Sequence, residues 1–211
     1  MSIKARNEGV KITPAPSGTF VARCFSMIQI GTIEETIRGV KKNLNKVRIS
    51  WELPTEKTIF KEEKGEQPFT VSKEFTLSMN DRANLRKFLE GWRGLPFTED
   101  EAKEFDITKL LGKECLLSII HVTAKSSGNL YSDISSVSRL PKGMTCPPQV
   151  NPNFEFTLEG DELNEEKFNM LPDWIKQKVV TSWEYRMLKE PINTNTPEEA
   201  TNSSTGDAPP F

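Results

Sequence analysis

The sequence predicts a mainly β fold: five strands, a helical insertion between the third and fourth, helices after the last, and a disordered acidic tail. Three observations carry this. Apolar and polar residues alternate with a period of two in five separate stretches. A helical pattern bracketed by turn residues interrupts them once, after the third stretch. Charge divides the chain: residues 1–150 hold 23 basic and 18 acidic side chains, whereas residues 151–211 hold 5 and 12. The formal net charge of -2 is therefore a +5 body joined to a -7 end.

Length and composition exclude several classes. A chain of 211 residues suits one domain with a real core. Met1 to Phe20 contains no apolar run before a cleavage site, and no stretch of 18 apolar residues occurs, so neither a secretory signal nor a membrane span is expected. Cys24, Cys115 and Cys146 are odd in number and far apart, which fits neither a disulfide framework nor a zinc knuckle and suits a reducing cytoplasm.

Residues 1–17 read as a flexible polar arm, closed by Pro14-Ala15-Pro16-Ser17-Gly18. The first strand is expected over Thr19–Ile30, with Phe20, Ala22, Cys24, Ser26, Ile28 and Ile30 on one face and Val21, Arg23, Phe25 and Met27 on the other. Residues 31–46 read as a charged loop with Arg38, Lys41, Lys42 and Lys46. A second strand follows over Val47–Leu53, its Val47, Ile49, Trp51 and Leu53 facing one way. Pro54 to Gln67 reads as a solvated connection, and the third strand as Phe69–Leu77. Asn80 or Asp81 can cap a helix through Trp92 that Gly94 stops, and Phe97 to Glu101 reads as a second helix start. A fourth strand, Cys115–Val122, turns at Ser126 to Asn129 into a fifth, Leu130–Val137. Pro141 to Pro152 ends the sheet, and Phe154–Leu158 reads as a short edge strand. Residues 164–188 read as helices, one of which can begin at Pro172, with Leu171, Trp174, Ile175, Val179, Trp183 and Met187 as a packing stripe. Ile192 to Phe211 holds three acids, no Lys or Arg, and too little apolar surface to order itself.

Three strands, a helix and two strands is the element order of an OB-fold, a five-stranded barrel whose strand 2–3 face and flanking loops bind single-stranded nucleic acid or oligosaccharide. The expected organisation is an arm (1–17), an OB-fold domain (18–150), a helical extension packed on the barrel (151–190) and a tail (191–211).

Little supports catalysis. His121 is the one histidine and sits at a strand end. No phosphate-cradling glycine loop occurs, so neither cofactor nor metal is expected. The acids of Glu99 to Glu101 and Asp161-Glu162 read as solvated faces, which leaves a metal-dependent nuclease as a third choice. Single-strand binding needs cations along the phosphates and flat side chains under the bases. Arg23 and Phe25 on the first strand, Arg48 on the second, Lys73 and Phe75 on the third, and Tyr131 on the fifth supply both. Lys41, Lys42 and Lys46 in one loop and Lys125 in another add charge. Phe75 reads equally well as core, Trp51 reads as core, and the lysine loop reads equally well as a solvated face.

The chain closes with Asp207-Ala208-Pro209-Pro210-Phe211, an apolar ring beside a carboxylate on a proline-stiffened approach. Such an end can be captured by a partner offering a cation and a pocket. This tip resembles that of bacterial single-stranded DNA-binding proteins, whose acidic tails end in Pro-Phe and recruit replication and repair proteins. The body is similar to phage and prophage single-stranded DNA-binding proteins over Gly18 to Cys24, Lys46 to Pro54, Ala83 to Lys87, Gly112 to Cys115 and Leu140 to Gly143. The resemblance covers residues 15–150 and the tip. It departs from the bacterial pattern in having Asp207 where a run of aspartates stands, and in a body unlike the bacterial domain, so tetrameric assembly does not carry over.

The resemblance implies a protein that binds single-stranded DNA with little sequence preference during phage replication or recombination, in the bacterial host's cytoplasm. Asp207, Pro209, Pro210 and Phe211 would recruit replication and recombination proteins. No membrane partner is expected, and a homo-oligomer is left open. The alternative is an OB-like protein–protein interaction module without useful DNA affinity.

Overall fold

In a computed structural model, which describes residues 13–125 and 128–189, the first two strands form one long hairpin. β1 (Gly18–Ile37) and β2 (Val40–Ile59) are joined by Arg38-Gly39 alone. Both residues have positive φ, 52° and 80°, the handedness that matches strand twist, and Gly39 adopts it without a Cβ penalty. The loop expected at 31–46 is therefore strand. Lys41, Lys42 and Lys46 stand on a β arm, opposite Thr36, Glu35 and Gly31. Residues on both faces of the arm's outer part are exposed, which removes the period-two signal there. β2 likewise runs on to Ile59 through the expected connection. A 3-10 turn at Glu62–Lys64 then leads into β3 (Glu66–Thr76).

The insertion holds α1 (Asn84–Arg93) and α2 (Glu99–Lys103), followed by a 3-10 turn at Ile107–Leu110. Gly94 stops α1 in the left-handed region, as expected, but Ala83 and not Asn80 or Asp81 occupies the N-cap. Asn80 instead accepts from the Arg82 N–H at 3.2 Å, a local turn that competes with capping. Thr98 and Glu101 form a reciprocal capping box on α2. Buried Arg86 ties the insertion together, donating to the carbonyls of Met79 and Phe97 and pairing with Glu90 and Glu99.

β4 (Glu114–Thr123) and β5 (Leu130–Ser138) complete a sheet of order β3-β2-β1-β4-β5, antiparallel along that path. β6 (Phe154–Phe156) pairs parallel to β1 at Ser26–Ile28, beyond the Gly18–Arg23 stretch that β4 covers. No ladder joins β3 to β5 among the described residues, so the sheet is open. Lys73 of β3 spans the opening, its Nζ donating to the Asp133 carboxylate (2.9 Å) and the Ile134 carbonyl (2.6 Å) of β5. Asp133 also accepts from the Ile134 N–H, so both backbone groups of this edge residue are satisfied without a further strand.

Two apolar clusters lie on opposite faces of β1 and β2. The inner one holds Val47, Ile49, Trp51 and Leu53, the expected face of β2, with Val71, Phe75, Leu85, Leu89, Trp92 and Leu117. The Trp51 ring lies 5.5 Å from Phe88 and 5.7 Å from Trp92. β1 departs from its expected faces. A register shift between Cys24 and Ser26 makes Phe25 the extra residue of a bulge, so Met27 joins Ala22 and Cys24 inside while Ile28 turns outward.

The outer cluster gathers Ile28, Phe156 and Leu158 with Leu171, Ile175 and Val179. The last three come from the helical extension: α3 (Glu165–Met170), α4 (Asp173–Val179) and α5 (Trp183–Lys189). Trp174 and Trp183 do not share that burial; they are 45% and 63% exposed. Glu184 fastens α5 to β1, accepting from the Thr32 N–H (2.6 Å) and hydroxyl (2.7 Å). A Cβ on Gly31 would lie 2.7 Å from Ser182 and Glu184, so only glycine permits this approach.

Candidate nucleic-acid interface

The open seam between β3 and β5 widens into a groove of about 940 Å³. The β1–β2 arm forms one wall, β5 another, and the start of α1 closes one end. Lys42, Lys46, Lys73, Arg82 and Lys87 line it, together with the acidic residues Glu35 and Glu74. Two of these cations are already committed: Lys46 pairs with Glu35 at 3.0 Å and Lys73 with Asp133 at 2.9 Å. Lys42, Arg82 and Lys87 are exposed and make no salt bridge among the described residues, although Lys87 acts electrostatically on Glu90. Three exposed cations outside any salt bridge give the trough a positive field open to a polyanion.

The sequence candidates divide three ways. Lys42, Lys46, Lys73 and Phe75 meet in the groove. Phe75 is core, however, 4% exposed with its ring 4.9 Å from Phe88, so it offers no face for a base. Half-buried Phe88 is the ring the groove presents. Lys41, Lys125 and Tyr131 are exposed but do not line it; Lys41 pairs with Glu34 at 2.8 Å.

Arg23, Phe25 and Arg48 lie elsewhere. Arg23 donates to the carbonyls of Gly112, Cys146 and Pro147 and pairs with Glu114, binding the segment after β5 to β1. Half-buried Phe25 occupies the bulge. Arg48 is on the outer face, 3.3 Å from Glu74 and 4.6 Å beneath the Trp174 ring. Lys178 of α4 also reaches Glu74, at 2.9 Å. Burial pushes the Arg48 guanidinium below its usual range, and Glu74 opposes that. The strand face expected to take DNA at Arg48 is thus covered by the extension. Asp207, Pro209, Pro210 and Phe211 lie outside the described residues.

The sequence reading omits Arg82, Lys87 and Phe88. The available signal is two cations flanking the start of a helix, with an aromatic residue one position on; reading it as a site requires knowing that α1 abuts the seam. His121 has a structural partner: its Nε2 lies 2.9 Å from the Ala15 carbonyl, which can only accept, so Nε2 carries the proton. No group of three or more His, Cys, Asp or Glu that could hold a metal ion occurs among the described residues. Likewise, no helix among them is long and apolar enough to cross a membrane. Among protein-family models and curated proteins, none matches this sequence.

Proposed function

We propose that the chain binds single-stranded DNA with little sequence preference, in the groove between β3 and β5. The observation that carries this reading is the set of three exposed cations, Lys42, Arg82 and Lys87, around that groove. Phosphates would follow the cations, and half-buried Phe88 would meet a base. The sheet order β3-β2-β1-β4-β5 with a helix after β3 supports an OB-fold whose β3–β5 closure is left open. The acidic tail and its Pro-Phe tip support recruitment of replication or recombination proteins of a phage, through Phe211.

Titration of oligo-dT at about 50 mM salt, repeated at rising salt, tests the reading. Affinity falls steeply, because counterion release drives phosphate binding. Reversing Lys42, Arg82 and Lys87 to Glu lowers the log–log salt slope by about 2, near 0.7 for each lost phosphate contact. Reversal of Arg48 has a smaller effect. Absence of binding at low salt would sink the reading and leave the protein–protein interaction module.

A further inference from the structure

A second groove, about 650 Å³, lies between the end of the helical insertion and β6, and its charge is opposite. Its floor is apolar: Val47, Leu77, Met79, Phe105, Ile107 and Phe156. Leu77, Met79, Phe105 and Ile107 are only half-buried, so water meets carbon along the trough. Its rim carries Glu104, Asp106, Glu155 and Glu159 against Lys103.

The four carboxylates are not equivalent. Asp106 accepts from the Thr108 hydroxyl and N–H, at 2.7 and 2.9 Å, and these bonds hold it below the usual carboxylate range. Glu155 shares its charge with Lys167 at 3.7 Å. Glu104 and Glu159 have no ion-pair partner among the described residues. An apolar trough under unneutralised acids repels a polyanion. It matches an occupant with carbon at its centre and positive charge at its edges.

We infer that this acidic groove docks a partner protein through a short cationic segment in which large aliphatic side chains are flanked by Lys or Arg. The aliphatic side chains cover Phe105, Ile107 and Leu77, and the flanking cations meet Glu104 and Glu159. Charge complementarity sets the approach, and the apolar floor separates this segment from a merely basic one. The inference does not rest on DNA binding, since the residues concerned are separate from the basic groove.

Fluorescence anisotropy with the full chain and the labelled hexapeptide Lys-Leu-Lys-Arg-Leu-Lys tests this. The peptide should bind at least about tenfold more tightly than Lys-Gly-Lys-Arg-Gly-Lys or Glu-Leu-Glu-Glu-Leu-Glu. Combining Glu104→Lys with Glu159→Lys should weaken it by at least about tenfold, while Lys42→Glu leaves it unchanged. Both acidic positions are exposed, and a retained thermal midpoint confirms folding. On the unmodified chain, amide shifts centred on Phe105, Ile107 and Glu159 support the inference. Equal binding of the glycine peptide, an unaffected double variant, or shifts confined to the basic groove overturns it. Saturable binding that appears only when residues 1–12 are removed also overturns it, since the chain's own arm would then be the occupant.

Discussion

The two faces of the β1–β2 ribbon are built differently. The inner face draws on several strands, Val47 to Leu53 on β2 meeting Val71 and Phe75 on β3, and is sealed by α1. The outer face is a patch. Ile28 stands among Ser26, Arg48, Ser50 and Glu52, and it is covered by three residues of the extension, Leu171, Ile175 and Val179. Polar ties do much of the remaining work there: Glu184 to Thr32, Lys178 to Glu74, and the Val150 and Asn151 N–H groups to buried Glu52, each at 2.8 Å. A face read by several strands at once resists local opening, whereas a face covered by one segment can open by itself.

The sharpest way to break this contrast is Trp51→Ala. The ring is fully buried against Phe88 and Trp92, so its removal should cost about 3–5 kcal/mol and lower the stability of the whole sheet in urea. Ile175→Ala should cost about 2–3 kcal/mol. Hydrogen exchange should quicken in α4 and β6, while β4 and β5 stay protected; loss of protection everywhere would erase the distinction between the faces.

Thiol labelling sharpens the same contrast with smaller effect. Burial pushes the Cys24 thiol up to about 12 and the Cys115 thiol well above its ordinary value, and both are inner-face residues. Cys146 is half-buried and less perturbed. A thiol reagent at neutral pH should label Cys146 first and reach the other two only on unfolding.

The smallest effect lies on neither face. The Arg93 guanidinium and then the Thr98 N–H hold the Glu101 carboxyl down to about 2. Its pKa is depressed on folding, so its contribution is complete above the ordinary value of 4.5 and disappears as pH falls toward 2. The pair is solvent-exposed, so Glu101→Gln should move the thermal midpoint by about 2 °C or less at pH 7 and by still less at pH 2.

What was legible follows the same division. Val47, Ile49, Trp51 and Leu53 announce a strand because one face is buried and the other is not. The arm at residues 31–46 is silent because exposed charge lines much of it, and only the Arg38-Gly39 pair hints at a two-residue turn. The reversal at Phe25 is invisible because a bulge leaves alternation intact in the letters while exchanging the faces in space. Arg48 reads as an open cation for a related reason. Its cover, Trp174, lies 126 positions downstream, and nothing local encodes that meeting. The groove was half legible: Lys42, Lys46 and Lys73 carry charge wherever they stand, but Arg82 and Lys87 gain meaning only once α1 is placed beside the seam.

The two-residue turn at Arg38-Gly39 also bears on the order in which the molecule assembles. It lets β1 and β2 zip outward from Ile37 and Val40 with the smallest loop to close, within the microseconds typical of hairpins. β4 must then find Gly18 to Arg23 from roughly a hundred residues away, as in the pairing of Gly18 with Ile119. Such non-local closure is the slow step in β-rich chains. The ribbon is thus the template on which both the seam and the extension are later laid, and Gly39 governs how quickly that template exists. Substituting a β-branched residue there would strain the left-handed turn and slow its closure, read as a lower refolding rate.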